Sequence, residues 1–381
     1  MPTVDFDGET AYVLRDGSGA EAVVLPSVGE SCLAFRTPVD GRPAYLLSTP
    51  PSLEVLRARP TMWGFPILSP YPGRHQTPFR WRGASYRIAE NDRPGVAIHG
   101  IVAVSPWEVV EAAGDSLTAR FDSERAPERA ARWPWPFLLT ATHRVADGAL
   151  TLDLALTNRA DEAVPHLLGL HPYVPLRVTP AGPIGTEGLP TAEALAGDAP
   201  QRWRETCRVW VAGDHLWEMR QGLGTGTILD LDGDWDLRTP RSVAELEATL
   251  SVPPGGGQFG SDRQAQGPRL PVLLYGDRAA LAAGEAGARA AEPGGVTSGV
   301  DDVASGVRVT LETSLGFGSL ALFCPPGRPF ISLEPRSAVS DALTLMHAPG
   351  VPPTGVCALG PGETWRARVR LSAAPLTGAG R

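Results

Sequence analysis

Short apolar runs rich in β-branched and aromatic residues recur along the chain between turn signals: AYVL before DGSG, YRIA before NDRPG, WEVVEA before GDSL, HRVA before DG, and then LTLDLALTN. This spacing predicts antiparallel strands joined by tight turns. Leu150, Leu152, Leu154 and Leu156 alternate with Thr151, Asp153 and Ala155. A strand there puts the leucines on one face and leaves the other wet or weakly packed. Strand pattern returns in VRVTLETSLGFGSLALFCPP and PFISLEP, and VCALGPGETWRARVRLS reads as a closing hairpin. Residues 253–306 differ: they open with PPGGGQFG, run through an Ala-rich stretch from Ala279 to Ala291, and end in EPGGVTSG. The pattern predicts an all-β chain forming one domain over residues 1–381, with a Gly/Ala-rich excursion at 253–306 that holds one short helix.

Composition sharpens this picture. Gly 43 and Pro 38 out of 381 residues make about a fifth of the chain, well above ordinary usage, so turns are frequent and long helices few. A hydrophobic content of 43% and a mean hydropathy of -0.08 are those of a folded globular chain rather than a disordered one. All 34 basic residues are arginine, against 42 acidic ones, for a net charge of -8. A Schiff-base lysine, a pyridoxal anchor and a P-loop lysine are thereby excluded. The acidic balance without a basic run argues against nucleic acid as a partner. The four cysteines, Cys32, Cys207, Cys324 and Cys357, stand far apart, in neither a disulfide framework nor a zinc spacing. The amino terminus carries acids where a leader needs basic residues, and no long uncharged stretch is free of Pro and Gly, so no membrane partner and a cytoplasmic location are expected.

Several motifs fail on inspection. Asp230, Asp232 and Asp234 suggest a calcium loop, but Trp235 and Arg241 stand where Gly and Glu are required. GLGTGT at Gly222 places Thr227 where a dinucleotide fingerprint needs its third Gly, and GDSL at 114–117 lies between two strand patterns, where Asp and Ser make a turn. What remains is a set of polar residues closing apolar or turn segments: Glu334 after Phe330–Leu333, His171 in LLGLHPYV, held extended by Pro172, His99 in VAIHG, and Arg74 in PYPGRH. By position alone each is as readily a surface charge or a satisfied core group as a functional one.

Their order is what distinguishes them. GFPILSPYPGRH, Tyr86 to Asn91 followed by AIHG, PWEV, WPFLLTATHRV, LTLDLALTN, LGLHPYV, LWEMRQGLGTGTILD, PFISLEP with DAL, and LGPGE together resemble the aldose 1-epimerase (galactose mutarotase) family over roughly residues 20 to 370. The resemblance implies a large antiparallel β-sandwich. It also implies Glu334 as general base and His171 as general acid, with Arg74, His99 and Asp230 positioning a sugar. Asp232 is a rival for Asp230, and Asn91 resembles a family residue near the pocket. The chemistry suits these groups: a carboxylate on one side takes the proton of the C1 hydroxyl, an imidazolium on the other protonates the ring oxygen, and the opened aldehyde recloses on either face. No metal, nucleotide or other cofactor is required. Two alternatives stand beside this: a sugar-binding or sensing protein without turnover, and an epimerase of hexose 6-phosphates. The second needs a cation for the phosphate. His99-Gly100 is followed by Ile101, Val102, Ala103 and Val104, and Arg336 reads as a surface residue, so a neutral aldose of the glucose or galactose type is expected.

Overall fold

The computed structural model describes residues 1–126, 132–179, 190–197, 200–250, 272–285 and 293–377. Alternation of apolar and polar side chains builds the sheets. Along Ala149–Asn158 the four leucines are buried and the intervening residues half-buried, and Phe137–Ala146 and Ser116–Asp122 repeat the pattern. A period of two is what lets one face of a strand enter a core while the other meets solvent.

The strands form two large sheets and an amino-terminal meander. The meander has five antiparallel strands in chain order from Thr3–Phe6 to Arg42–Tyr45. A nine-stranded sheet runs from Glu108–Ala112 through Ala149–Asn158, Thr364–Pro375 and Val307–Thr313 to Cys207–Val211 and Arg241–Ser242. An eight-stranded sheet runs from Leu223–Asp230 and His215–Arg220 through Val272–Gly276, Ser319–Phe323 and Phe330–Arg336 to Gly169–Leu170 and Ile67–Leu68, with Tyr173–Pro175 also on Phe330–Arg336. The named pairings are antiparallel, and one apolar cluster extends from Leu14 to Leu371. The expected antiparallel β-sandwich is the fold observed.

Two readings of the pattern change. The segment 253–306 is not wholly an excursion: Val272–Gly276 lies inside the eight-stranded sheet and Ser298–Asp302 inside the nine-stranded one. The short helix is there, at Arg278–Glu285, while 251–271 and 286–292 lie outside the described residues. The Gly- and Pro-rich flanks masked two strands whose burial comes from distant partners. Nor do Cys357–Leu359 and Thr364–Pro375 form a hairpin. The first pairs with Val164–His166, the second with Ala149–Asn158 and Val307–Thr313. No helix among the described residues is long and apolar enough to cross a membrane.

Candidate active site

The eight-stranded sheet carries the site on Phe330–Arg336, a strand buried on both faces. Its sequence, FISLEPR, alternates: Ile331, Leu333 and Pro335 share one face, Ser332, Glu334 and Arg336 the other. Glu334 is 2% exposed, and its Oε1 lies 3.1 Å from Nε2 of His171, which is also buried. Ser332 fixes the imidazole. Its hydroxyl donates to Pro172 O at 2.8 Å and lies 2.8 Å from His171 Nδ1. With its one proton spent on the carbonyl, Ser332 Oγ accepts from Nδ1–H, so Nε2 is the nitrogen that exchanges a proton with Glu334. Tyr173 stacks on the ring at 4.8 Å, places its hydroxyl 3.5 Å from Nε2 and donates to Met62 Sδ. Burial pulls the His171 pKa below the ordinary imidazole value even though Glu334 opposes it, and Arg336 adds to the fall. A buried imidazolium held this way is a strong proton donor.

His99 stands against His171, ring centroids 5.3 Å apart and nearly perpendicular. It closes Val96–Ile98 with a φ of 62°, and Gly100 follows at 66°. A left-handed histidine is uncommon, and here it turns the chain at the end of the strand. Gly73 N–H donates to His99 Nδ1 at 3.2 Å, which leaves the proton on Nε2. Burial, followed by the charges of His171, Arg336, Arg74 and His75, lowers its pKa well below the usual value. His99 is thus a neutral hydrogen-bond donor.

Arg74 lies on Arg74–Gln76, paired with Val96–Ile98 so that it opposes Ile98. Its Nε and Nη2 form a fork on Asp92 at 3.0 and 3.1 Å, and Arg93 shares the same carboxylate at 3.1 Å while donating to Gln221 O. Asn91 brackets this pairing: Oδ1 accepts from Ile98 N at 2.7 Å and Nδ2 donates to Ile98 O at 3.0 Å. Both ends of Asn91 are spent on the backbone beside His99, so it orders the segment rather than offering a free group.

Five of the six expected residues are therefore drawn around one place. Asp230 is not. It pairs with His215 at the far end of its hairpin and is exposed. The part of that hairpin near the site is its tip: Gln221 accepts from Arg93, and a Cβ added to Gly224 would lie 2.7 Å from Ser340 O. Six further residues of extended chain put Asp230 about 20 Å beyond Gly224. Asp232 lies further along still, exposed before a short 3-10 turn. The aspartates follow the hairpin in sequence, but a strand carries them away from its tip.

The largest departure is Arg336. It is 4% exposed, its Nη2 donates to Glu334 Oε2 at 2.5 Å and its Nη1 to Ser340 Oγ at 2.8 Å. Ser332, Tyr173, Asp92 and Ser340 were likewise not anticipated. The first and Arg336 had a signal, the period-two polar face shared with Glu334. Tyr173 had one too, two residues after His171 in the same LGLHPYV segment, whereas Asp92 and Ser340 had none. Among the described residues no three or more His, Cys, Asp and Glu side chains group as metal ligands would.

The aldose 1-epimerase family model matches residues 11–191, a span that includes Arg74, Asn91, His99 and His171 and ends before Glu334. The uncharacterized protein YihR of Escherichia coli is 27% identical over 118 residues, covering 30% of this chain and 36% of that protein. The matched stretch is thus little more than a third of that relative's length. Among solved structures, a galactose mutarotase-like protein from Clostridium acetobutylicum superposes with a TM-score of 0.73 at 17% identity, covering 98% of this chain and 97% of that one. The GalM/aldose epimerase homologue from C. elegans gives 0.65 at 15% identity, covering 96% and 99%. At such identities the structures establish the shared fold. The resemblance read from the motifs is met by the family match.

Proposed function

We propose that the protein interconverts the α and β anomers of a neutral aldose of the glucose or galactose type, with Glu334 as general base and His171 as general acid. The observation that carries the reading is the 3.1 Å contact between His171 Nε2 and Glu334 Oε1, with Nδ1 committed to Ser332. One proton lies between a base and an acid whose roles are set by their partners. This modifies the expected picture of acid and base on opposite sides of the ring. The hydroxyl oxygen and the ring oxygen are both bonded to C1, so adjacent groups on one side reach both.

In the forward step Glu334 Oε1 takes the C1 hydroxyl proton, His171 Nε2 protonates the ring oxygen, and the bond from C1 to that oxygen breaks. Rotation about the C1–C2 bond presents the other aldehyde face. Reclosure then returns the first proton from Glu334 and the second to His171, restoring both groups. His99, with its proton on Nε2, donates to a sugar oxygen without adding charge, and Arg74, held by Asp92, stands on the strand beside it. A neutral substrate is supported by the state of Arg336: Nη2 is engaged by Glu334 and Nη1 by Ser340, which sets its charge against the base.

The test is polarimetry of freshly dissolved α-D-glucose and α-D-galactose with the wild type and Glu334→Gln. An amide keeps the shape but takes no proton, and loss of a general base lowers turnover by about 100- to 10,000-fold. Near wild-type mutarotation by Glu334→Gln refutes the assignment. Saturable sugar binding by a wild type that does not accelerate mutarotation at all establishes the sugar-binding alternative instead.

A further inference from the structure

Arg336 is a buried cation within the proposed catalytic pair, yet nothing in the acid–base step requires it. A glutamate side chain rotates broadly about its last torsion and by itself presents either oxygen to its surroundings. Here one oxygen is taken. Arg336 Nη2 holds Oε2 at 2.5 Å, and Oε1 is the oxygen that meets His171 at 3.1 Å.

The guanidinium is itself held. Nη1 donates to Ser340 Oγ, and the segment bearing Ser340 is anchored by Asp341, whose N–H donates to Arg74 O and whose carboxylate accepts from Gln76 N at 2.8 Å. Gly73 closes the other side. Its φ is +68°, and a Cβ there would lie 2.5 Å from Arg336 Nη1 and 2.7 Å from Ser340 Oγ, so the backbone leaves the guanidinium its space. The groups facing Glu334 are Arg336 on its own strand and His171 and Tyr173 from the neighbouring segment, with His99 and Arg74 behind His171.

We propose that Arg336 is a positioning residue for the base: by fixing Oε2 it presents Oε1 alone to His171 and to the substrate, and it sets a positive charge beside both groups. The inference rests on the reading of Glu334 as general base. Removing the cation lets His171 keep its proton to higher pH, because the imidazole loses a positive neighbour. The alkaline limb of the rate profile, set by His171, then moves to higher pH. Residues that only fill space lower the height of such a profile without moving its limbs.

The experiment measures kcat and KM for anomer interconversion across pH with wild type, Arg336→Met and Arg336→Lys, together with the titration of the His171 imidazole by NMR in each. Arg336→Met is expected to lower kcat by about a hundredfold, as a small misplacement of a catalytic group does, with KM little changed. The alkaline limb and the His171 midpoint move to higher pH. Arg336→Lys restores the charge without the planar fork, so it returns that limb toward wild type while recovering only part of kcat. An alkaline limb and a His171 midpoint that stay in place in Arg336→Met overturn the inference. If Arg336→Met does not fold, Arg336→Lys decides: wild-type kcat means that the fork does not position the base. A Glu334→Gln variant at wild-type rate removes the base assignment itself. An inactive Glu334→Gln beside a fully active Arg336→Met removes only the role of Arg336.

Discussion

Replacing Gly73 with alanine perturbs the site through one methyl group, and the structure separates its two effects. The first is local. At a φ of +68° an L-residue costs about 1–2 kcal/mol, which for a chain of this length lowers Tm by about 1–3 °C. The second is transmitted. The new Cβ would stand 2.5 Å from Arg336 Nη1, and ordinary contact requires the guanidinium to retreat by about 1 Å. It is the far end of a flexible side chain, so it moves at little cost, but Glu334 Oε2 is bonded to it and moves or is released. A misplacement of about 1 Å lowers turnover by about a hundredfold. Thermal unfolding and polarimetric kcat are measured for Gly73→Ala, Arg336→Met and the double variant. If the methyl acts through the guanidinium, Gly73→Ala in the Arg336→Met background lowers Tm as before but costs no further kcat. Additive losses in kcat would refute the reasoning, as would a Gly73→Ala variant that is less stable yet turns over at the wild-type rate.

Two other outcomes follow from burial and topology. His75 and His166 are buried, and desolvation lowers the pKa of each to about 3. In the unfolded chain they titrate near 6.5, so the unfolded state binds more protons between those values and stability falls as pH drops below about 6.5, by about 2 kcal/mol for each histidine at pH 5. Urea unfolding at pH 7 and pH 5 should show a smaller difference for His166→Phe, and an unchanged difference would count against the neutral buried state. Asp230→Ala should leave kcat/KM near wild type, since Asp230 lies at the base of its hairpin; a large rise in KM would bring it back to the sugar.

The sequence by itself determined the class of fold and marked the two residues proposed here as the acid–base pair. Alternation in Leu150 to Leu156 specifies a strand with one core face because the backbone repeats every two residues, and that reading needs no partner strand. Glu334 and His171 were marked by short segments in a fixed order. The alternation of FISLEPR already carried Ser332 and Arg336 onto the face of Glu334, although a charged residue near a strand end reads equally well as exposed. What only the tertiary structure decided is where strands find partners and which side chains from distant segments meet. Val272–Gly276 and Ser298–Asp302 sit amid glycine and proline and are strands because neighbours far along the chain bury them. Asp230 looked near the site because its segment follows the family order, but hairpin geometry takes it to the opposite end. Burial of Arg336 required a counter-charge two residues away on its own strand, a hydroxyl from Ser340 beyond that strand and the bare backbone of Gly73 from far along the chain. A cation is buried only where such partners converge, and convergence is a property of the folded chain.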